Sequence, residues 1–332
     1  MDKGSRIYQV PEMNLAAGRG TEIIIRKIGS ALLGEKLLLR NDSCLNEEWY
    51  QKILVNHLEF FSPEEEVADI VEILESLFTP EFEETRKESE EGISETEREP
   101  EEPEEYIPET EREPEEPKES EEDVSEIKEE PDGLCVVLCS RREERWEEGE
   151  KNPRIHLKIT ERPYHIPFEI EIIPYKGEVR EFQEKVFRGR EREEQEITYF
   201  MLTPEEYISR SFYEIMDNLE LIGNLSWYRE IYDILLKEVI IGKKVSQSFG
   251  QLLMECPIPL LKTRLDIINE YEDYGYMKKR WEIQNSREGI YGPSWSQVIQ
   301  LLVKFFTPIL EMALRDEIFI GDWIPQFGRY LD

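Results

Sequence analysis

Arg154-Ile-His-Leu-Lys-Ile-Thr-Glu-Arg-Pro-Tyr-His-Ile-Pro-Phe-Glu-Ile-Glu-Ile172 alternates apolar and polar residues twice, with a break at Arg162-Pro163. In the first run Ile155, Leu157 and Ile159 share one side of an extended chain, and His156, Lys158 and Thr160 the other. In the second run Phe168, Ile170 and Ile172 lie opposite Glu169 and Glu171. A period of two belongs to a strand with one wet face. The link between the runs is too short for a helical crossover, so antiparallel pairing is predicted. Leu134-Cys-Val-Val-Leu-Cys139 and Glu196 to Leu202 are further strand candidates, making 133–202 a strand-rich region.

Beyond this region the period becomes helical. Thr203-Pro204-Glu205-Glu206 reads as a capping box, with Leu202 and Tyr207 placed as a hydrophobic staple. Helices are predicted to about Ile222, from Ser226 to about Ile241, near Val245 to Glu255, over Pro259 to Ile283, and over Ser294 to Leu314. Ser294 to Gln297 is another capping box, and Pro308 falls inside the last helix. Residues 203–332 therefore form a helical region rich in Trp and Tyr.

On the other side, residues 1–78 read as a small α/β unit. Glu22 to Arg26 and Lys36 to Arg40 are short apolar runs between glycines, suited to strands or one short helix. Asn46 is placed to cap a helix with Trp49, Ile53, Val55 to Leu58 and Phe61 facing inward. Ser62-Pro63-Glu64-Glu65 has the order of a capping box and precedes Val67, Ile70, Val71, Leu74, Leu77 and Phe78 at helical spacing.

Residues 79–132 separate the two parts. This stretch carries ETEREPEEP twice, at Glu95 to Pro103 and at Glu109 to Pro117, and holds 26 Asp+Glu against 6 Lys+Arg in 54 residues. Self-repulsion and proline predict a disordered acidic spacer. The fold class expected is α+β: a small α/β N-terminal unit, the spacer, antiparallel strands, and a helical C-terminal half. Residues 133–332 are numerous enough for a core and are expected to fold by themselves.

The net charge of −34 disfavours nucleic acid as a partner. The basic stretch Arg188-Gly-Arg-Glu-Arg192 is interrupted and followed by carboxylates. No run has the roughly 18 apolar residues of a membrane span, and no apolar leader follows Met1. The spacing of Cys44, Cys135, Cys139 and Cys256 forms no pair of CxxC elements, so buried free thiols in a reducing, cytoplasmic setting are expected. Neither a phosphate-binding glycine loop nor a Gly-x-Ser-x-Gly elbow occurs.

Two groups of residues suggest chemistry. Glu169 and Glu171, at i and i+2, point the same way and suit Mg²⁺ through its preference for hard oxygen. Nucleotidyltransferase-type enzymes use carboxylates on adjacent strands in this manner, followed by a helical domain, and the order of parts here is similar. Gly29-Ser30 matches that family's glycine pair, whereas no Asp-x-Asp or Glu-x-Glu strand follows it before the spacer. Lys278, Lys279 and Arg280 beside Trp281 make a concentrated basic cluster suited to docking an acidic segment of a protein partner. Arg229 and Asp233 are spaced for a simple ion pair on one helix face. The function expected is a non-enzymatic interaction or regulatory protein, binding a protein partner through the aromatic helical half, with no cofactor. The alternative is a metal-dependent nucleotidyltransferase-like enzyme using Glu169, Glu171 and Mg²⁺.

Overall fold

A computed structural model describes residues 11–31, 33–45, 54–80, 133–147, 151–188, 196–223, 225–288 and 292–331. Apart from Thr79 and Pro80, the predicted spacer lies outside the described residues. So do Asn46, Trp49 and Ile53 of the predicted helix and Gly189 to Arg192 of the basic stretch. The architecture is α+β, with a helical C-terminal half, as the hydrophobic periods predict.

The first element is a helix, α1 (Pro11–Ser30), and not the strand or short helix that its isoleucine triplet suggests. Its buried stripe runs through Ala16, Ala17, Gly20, Ile24 and Ile28, spaced for one helix face. Gly20 permits the close approach of this face to the sheet: a Cβ there would lie 2.4 Å from Ile159 Cδ1. Next come β1 (Leu38–Leu39) and β2 (His57–Pro63). The second corrects the sequence reading, which put Val55 to Leu58 and Phe61 on a helix. In His57-Leu-Glu-Phe the period is two, and a strand partner more than a hundred residues away supplies the ladder. The helix expected after Ser62 forms as α2 (Val67–Phe78), entered by a 3-10 turn at Glu64–Glu66. Ser62 does not cap it, because its hydroxyl donates to the Pro63 carbonyl at 3.3 Å.

Strands β3 (Cys135–Leu138), β4 (Arg154–Glu161) and β5 (Tyr164–Tyr175) follow. The predicted antiparallel pairing of the two alternating runs is observed, with Arg154 opposite Glu171 and His156 opposite Glu169. The sheet order is β1-β2-β5-β4-β3, and β2 runs parallel to β5. Helices α1 and α2 cover one face, so Leu58 and Phe60 pack in the same core as Ile155, Leu157, Ile159, Phe168, Ile170 and Ile172. Residues from 1–78 and 133–202 thus share one sheet and one core. A hairpin of β6 (Phe182–Arg188) and β7 (Glu196–Leu202) packs beside α1 and β1.

The helical half comprises α3 (Pro204–Asn218), α4 (Ser226–Lys237), α5 (Gly242–Glu255), α6 (Leu261–Glu270), α7 (Gly275–Glu288) and α8 (Trp295–Ala313). Thr203 Oγ1 accepts from the Glu206 amide at 3.4 Å, and the predicted box at Ser294 and Gln297 is complete in both directions. Leu202 and Tyr207 share an apolar cluster, as the staple predicts. The helix predicted over Pro259 to Ile283 is divided between α6 and α7 by a 3-10 turn at Tyr271–Asp273. The one predicted to end at Ile241 stops at Lys237, since Ile240–Ile241 form β8 against β9 (Asp322–Ile324), itself paired with β10 (Arg329–Leu331). Strands of two and three residues carry too little alternation to be read. Phe212, Phe306, Trp281, Trp295 and Trp323 lie in the core of this half. The thiols depart from expectation: Cys135 and Cys256 are half-buried and Cys139 is exposed, all free. Among the described residues no helix is long and apolar enough to cross a membrane.

The two halves meet where Phe61 and Ile173, at the ends of β2 and β5, pack against Tyr207 and Trp227. The sheet face opposite α1 and α2 is therefore covered at one end by helices, and further along it carries the charged side chains of β2, β4 and β5.

Candidate metal centre

Parallel register sets His57 beside Glu169 and Glu59 beside Glu171 on this polar face. The antiparallel neighbour β4 adds His156 beside Glu169 and Arg154 beside Glu171. The alternation that buries Leu58, Phe60, Ile170 and Ile172 necessarily turns these residues the other way. Glu169 and Glu171, predicted from sequence, thus lie together as expected. The residues that sequence reasoning missed are His57 and Glu59.

The imidazole of His57 is the centre of the cluster. Its Nδ1 lies 3.2 Å from Glu169 Oε1, while Nε2 lies 3.5 Å from Glu59 Oε1 and 4.0 Å from Glu171 Oε2. One ligand atom each from His57, Glu59 and Glu171 falls within 4.8 Å of the others. Ion contacts of about 2.0–2.2 Å put neighbouring ligands roughly 3–3.5 Å apart, so small side-chain rotations close this set around a cation. Glu169 is placed to accept from Nδ1–H, which would fix the ring with Nε2 turned toward Glu59 and Glu171. One imidazole and two carboxylates suit Mn²⁺ or Zn²⁺ better than Mg²⁺, which favours an all-oxygen shell.

Around this set, Asn152 Nδ2 donates to Glu171 Oε1 at 2.8 Å, and Arg154 Nη2 lies 2.9 Å from Glu171 Oε2. Arg154 also reaches Glu169 Oε1 at 3.4 Å, and His156 Nδ1 lies 3.6 Å from Glu169 Oε2. Glu59 is held from behind by Arg40, whose Nη1 donates to Oε2 at 2.7 Å and leaves Oε1 facing His57. The hydrogen bond to Glu59 raises the His57 pKa above its ordinary value, outweighing burial. Burial pushes the Glu59 carboxyl up, but His57 and Arg40 together hold it below the ordinary range.

Arg40 itself is 2% exposed and belongs to both halves of the molecule. Its Nη2 donates to Glu230 Oε2 at 2.8 Å and to Ser226 Oγ at 2.7 Å, and its guanidinium lies 4.3 Å from the Trp227 ring centroid. The Tyr207 hydroxyl donates to the same Glu230 carboxylate. Burial opposes the Arg40 charge, yet Tyr207, Glu230 and Glu59 raise its pKa.

The predicted partner-binding residues have mixed surroundings. Trp281 is buried in the helical core, with Nε1 donating to the Pro293 carbonyl at 2.9 Å. Arg280 closes the chain end after α3 by donating to the Glu220 carbonyl at 2.6 Å and to that of Ile222. Lys278 lies 3.3 Å from Asp273, and Lys279 is exposed. Arg229 stacks over Trp281 and donates to Asn285. No known protein-family model matches the chain, and no curated protein matches it.

Proposed function

We propose that the chain is a metal-dependent enzyme whose divalent cation is held by His57 Nε2, Glu59 and Glu171. The observation that carries this reading is the double use of one imidazole: Nε2 faces two carboxylates while Nδ1 faces a third, Glu169. Three protein ligands leave coordination positions for water and substrate, the arrangement of catalytic rather than structural sites. A bound cation would polarise a substrate oxygen or generate hydroxide near neutral pH. This supports the metal-dependent alternative drawn from Glu169 and Glu171, with the roles divided: Glu171 ligates, and Glu169 holds the imidazole.

Isothermal titration of Mn²⁺ and Zn²⁺ into the full chain, in excess Mg²⁺ to occupy the many other carboxylates, tests it. One tight ion per chain is expected, lost in Glu171→Gln and in His57→Ala. Equal binding in wild type and both variants would put the ion elsewhere and refute the reading.

A second reading, recognition of a protein partner by the helical half, has its own support. The ring of Tyr274 stacks on the buried Tyr271 and lies tilted against Tyr276, and both Tyr274 and Tyr276 are exposed next to Lys278 and Lys279. A pull-down that captures the same protein with wild type but not with a Lys278→Glu/Lys279→Glu variant supports it. A cytoplasmic, reducing location accords with the free thiols of Cys135, Cys139 and Cys256.

A further inference from the structure

We propose that the substrate of this centre is a small phosphorylated molecule, whose phosphoryl group bridges the cation and the side chains of Arg154 and His156. The inference rests on the metal reading above and adds what that ion would act on.

The polar sheet face is zoned by strand. The outward positions of β2 and β5 near the centre are His57, Glu59, Glu169 and Glu171, whereas those of β4 are Arg154, His156 and Lys158. A row able to carry positive charge therefore runs beside the ion ligands. Arg154 and His156 are 53% and 58% exposed, so both can meet a ligand from solvent. Arg154 touches both carboxylates of β5, at 2.9 and 3.4 Å. In that position it supplies the positive charge that a cation would otherwise supply.

A divalent ion on Glu59 and Glu171 adds two positive charges at this point. It weakens the hold of Glu171 on Arg154 and leaves a planar fork one hydrogen-bond length from an ion ligand. A phosphoryl group has three terminal oxygens in a tetrahedral array. One can meet the ion while two meet the guanidinium as a bidentate pair, and His156 on the same strand adds a donor. A carboxylate has two oxygens, so serving ion and fork together makes one oxygen shared between them, a poorer match than three separate oxygens. Long polyanions are a poor match, because a chain of net charge −34 repels them at range while a small phosphate diffuses in.

The test uses the full chain with Mn²⁺ and two probes, inorganic phosphate and p-nitrophenyl phosphate, with acetate as the carboxylate arm. Mn²⁺ affinity is read by titration, and probe binding by Mn²⁺-induced broadening of the ³¹P line, or of the methyl proton line for acetate. Both phosphates are expected to bind only when Mn²⁺ is bound, and acetate at least about tenfold more weakly. Arg154→Gln removes a charged hydrogen-bonding partner and should weaken phosphate by about tenfold or more. The same change removes a competing cation, so Mn²⁺ affinity should stay equal or rise. If Mn²⁺ binds but phosphate does not, if acetate binds as well as phosphate, or if Arg154→Gln binds phosphate unchanged, the substrate assignment is overturned and the metal centre stands. If Mn²⁺ does not bind, both fall.

Discussion

Arg40 lies between Glu59 and Glu230, 2.7 Å from the first and 2.8 Å from the second, and so ties the sheet to the helical half. The guanidinium that fixes a proposed ion ligand is thus also a charged contact between the sheet and α4. Removing one member of a buried ion pair leaves an uncompensated charge and typically costs about 3–5 kcal/mol. Partial exposure of both carboxylates puts Arg40→Met at the lower end, roughly 3 kcal/mol. Chemical denaturation of this variant against wild type measures the loss. A change below about 1 kcal/mol would mean that water replaces the guanidinium without penalty.

The two β5 glutamates should differ. Glu171 is a proposed ligand, so Glu171→Gln should abolish ion binding at micromolar concentration. Glu169 is proposed to act through the imidazole, and changes to such supporting groups usually cost about 10–100-fold in affinity. Glu169→Gln should therefore bind more weakly yet measurably. Equal loss in both variants would make Glu169 a direct ligand.

Composition suggests that residues 133–332 fold unaided, but the shared sheet argues otherwise. Without residues 11–78, the open side of β5 loses its parallel neighbour, and Ile155, Ile159, Phe168 and Ile170 lose the cover of α1 and α2. A 133–332 fragment should show reduced cooperativity in thermal unfolding and bind a hydrophobic dye. Adding residues 11–80 as a separate polypeptide should restore a sharp transition. A sharp transition in the fragment by itself would show the helical core to be sufficient.

Gly20 offers a local test of how α1 is seated. An alanine methyl there would meet Ile159 Cδ1 at 2.4 Å, so helix or side chain must shift. Overpacking of this kind costs about 1–3 kcal/mol, partly offset by the better helix propensity of alanine. Ile159→Val in the same chain should recover part of the loss. Additive losses in the double variant would show that the two positions do not press on one another.

Glu214 lies half-buried on α3, and burial together with Asp217 raises its pKa. A carboxyl whose folded pKa is raised contributes stability below the unfolded value and loses it as pH rises through the folded one. Glu214→Gln should accordingly raise the melting temperature at neutral pH, with the gain shrinking as pH falls into the acid range. A gain that persists unchanged at low pH would assign it to packing instead.

The strands of β4 and β5 were legible because one face is buried and the other wet, which writes a period of two into the residues themselves. The helices of the C-terminal half were legible for the same reason at their own period, helped by the caps at Thr203 and Ser294. What escaped was pairing at a distance. His57-Leu-Glu-Phe is a four-residue pattern that local spacing cannot separate from a helix turn, and only β5 makes it a strand. Glu169 and Glu171 could therefore be read as a candidate pair, while His57 and Glu59, which complete the cluster, could not. Lys278, Lys279 and Arg280 could be read as a basic cluster beside Trp281, but their spacing does not show that Trp281 turns into the core while Arg280 is spent on the chain end after α3.

The centre joins His57 and Glu59 to residues more than a hundred positions further along the chain. Its proposed ligands are strangers in the unfolded polypeptide and meet only when β2 slides into place alongside β5. Parallel pairing across so long a loop is among the slower events in folding. During refolding, the appearance of a tight ion site should lag behind helix formation in the C-terminal half, and an ion added early should not hasten it. Once the pairing is made, an ion bound at the proposed site would hold it closed, and a slow step of assembly would become one strongly protected from reversal.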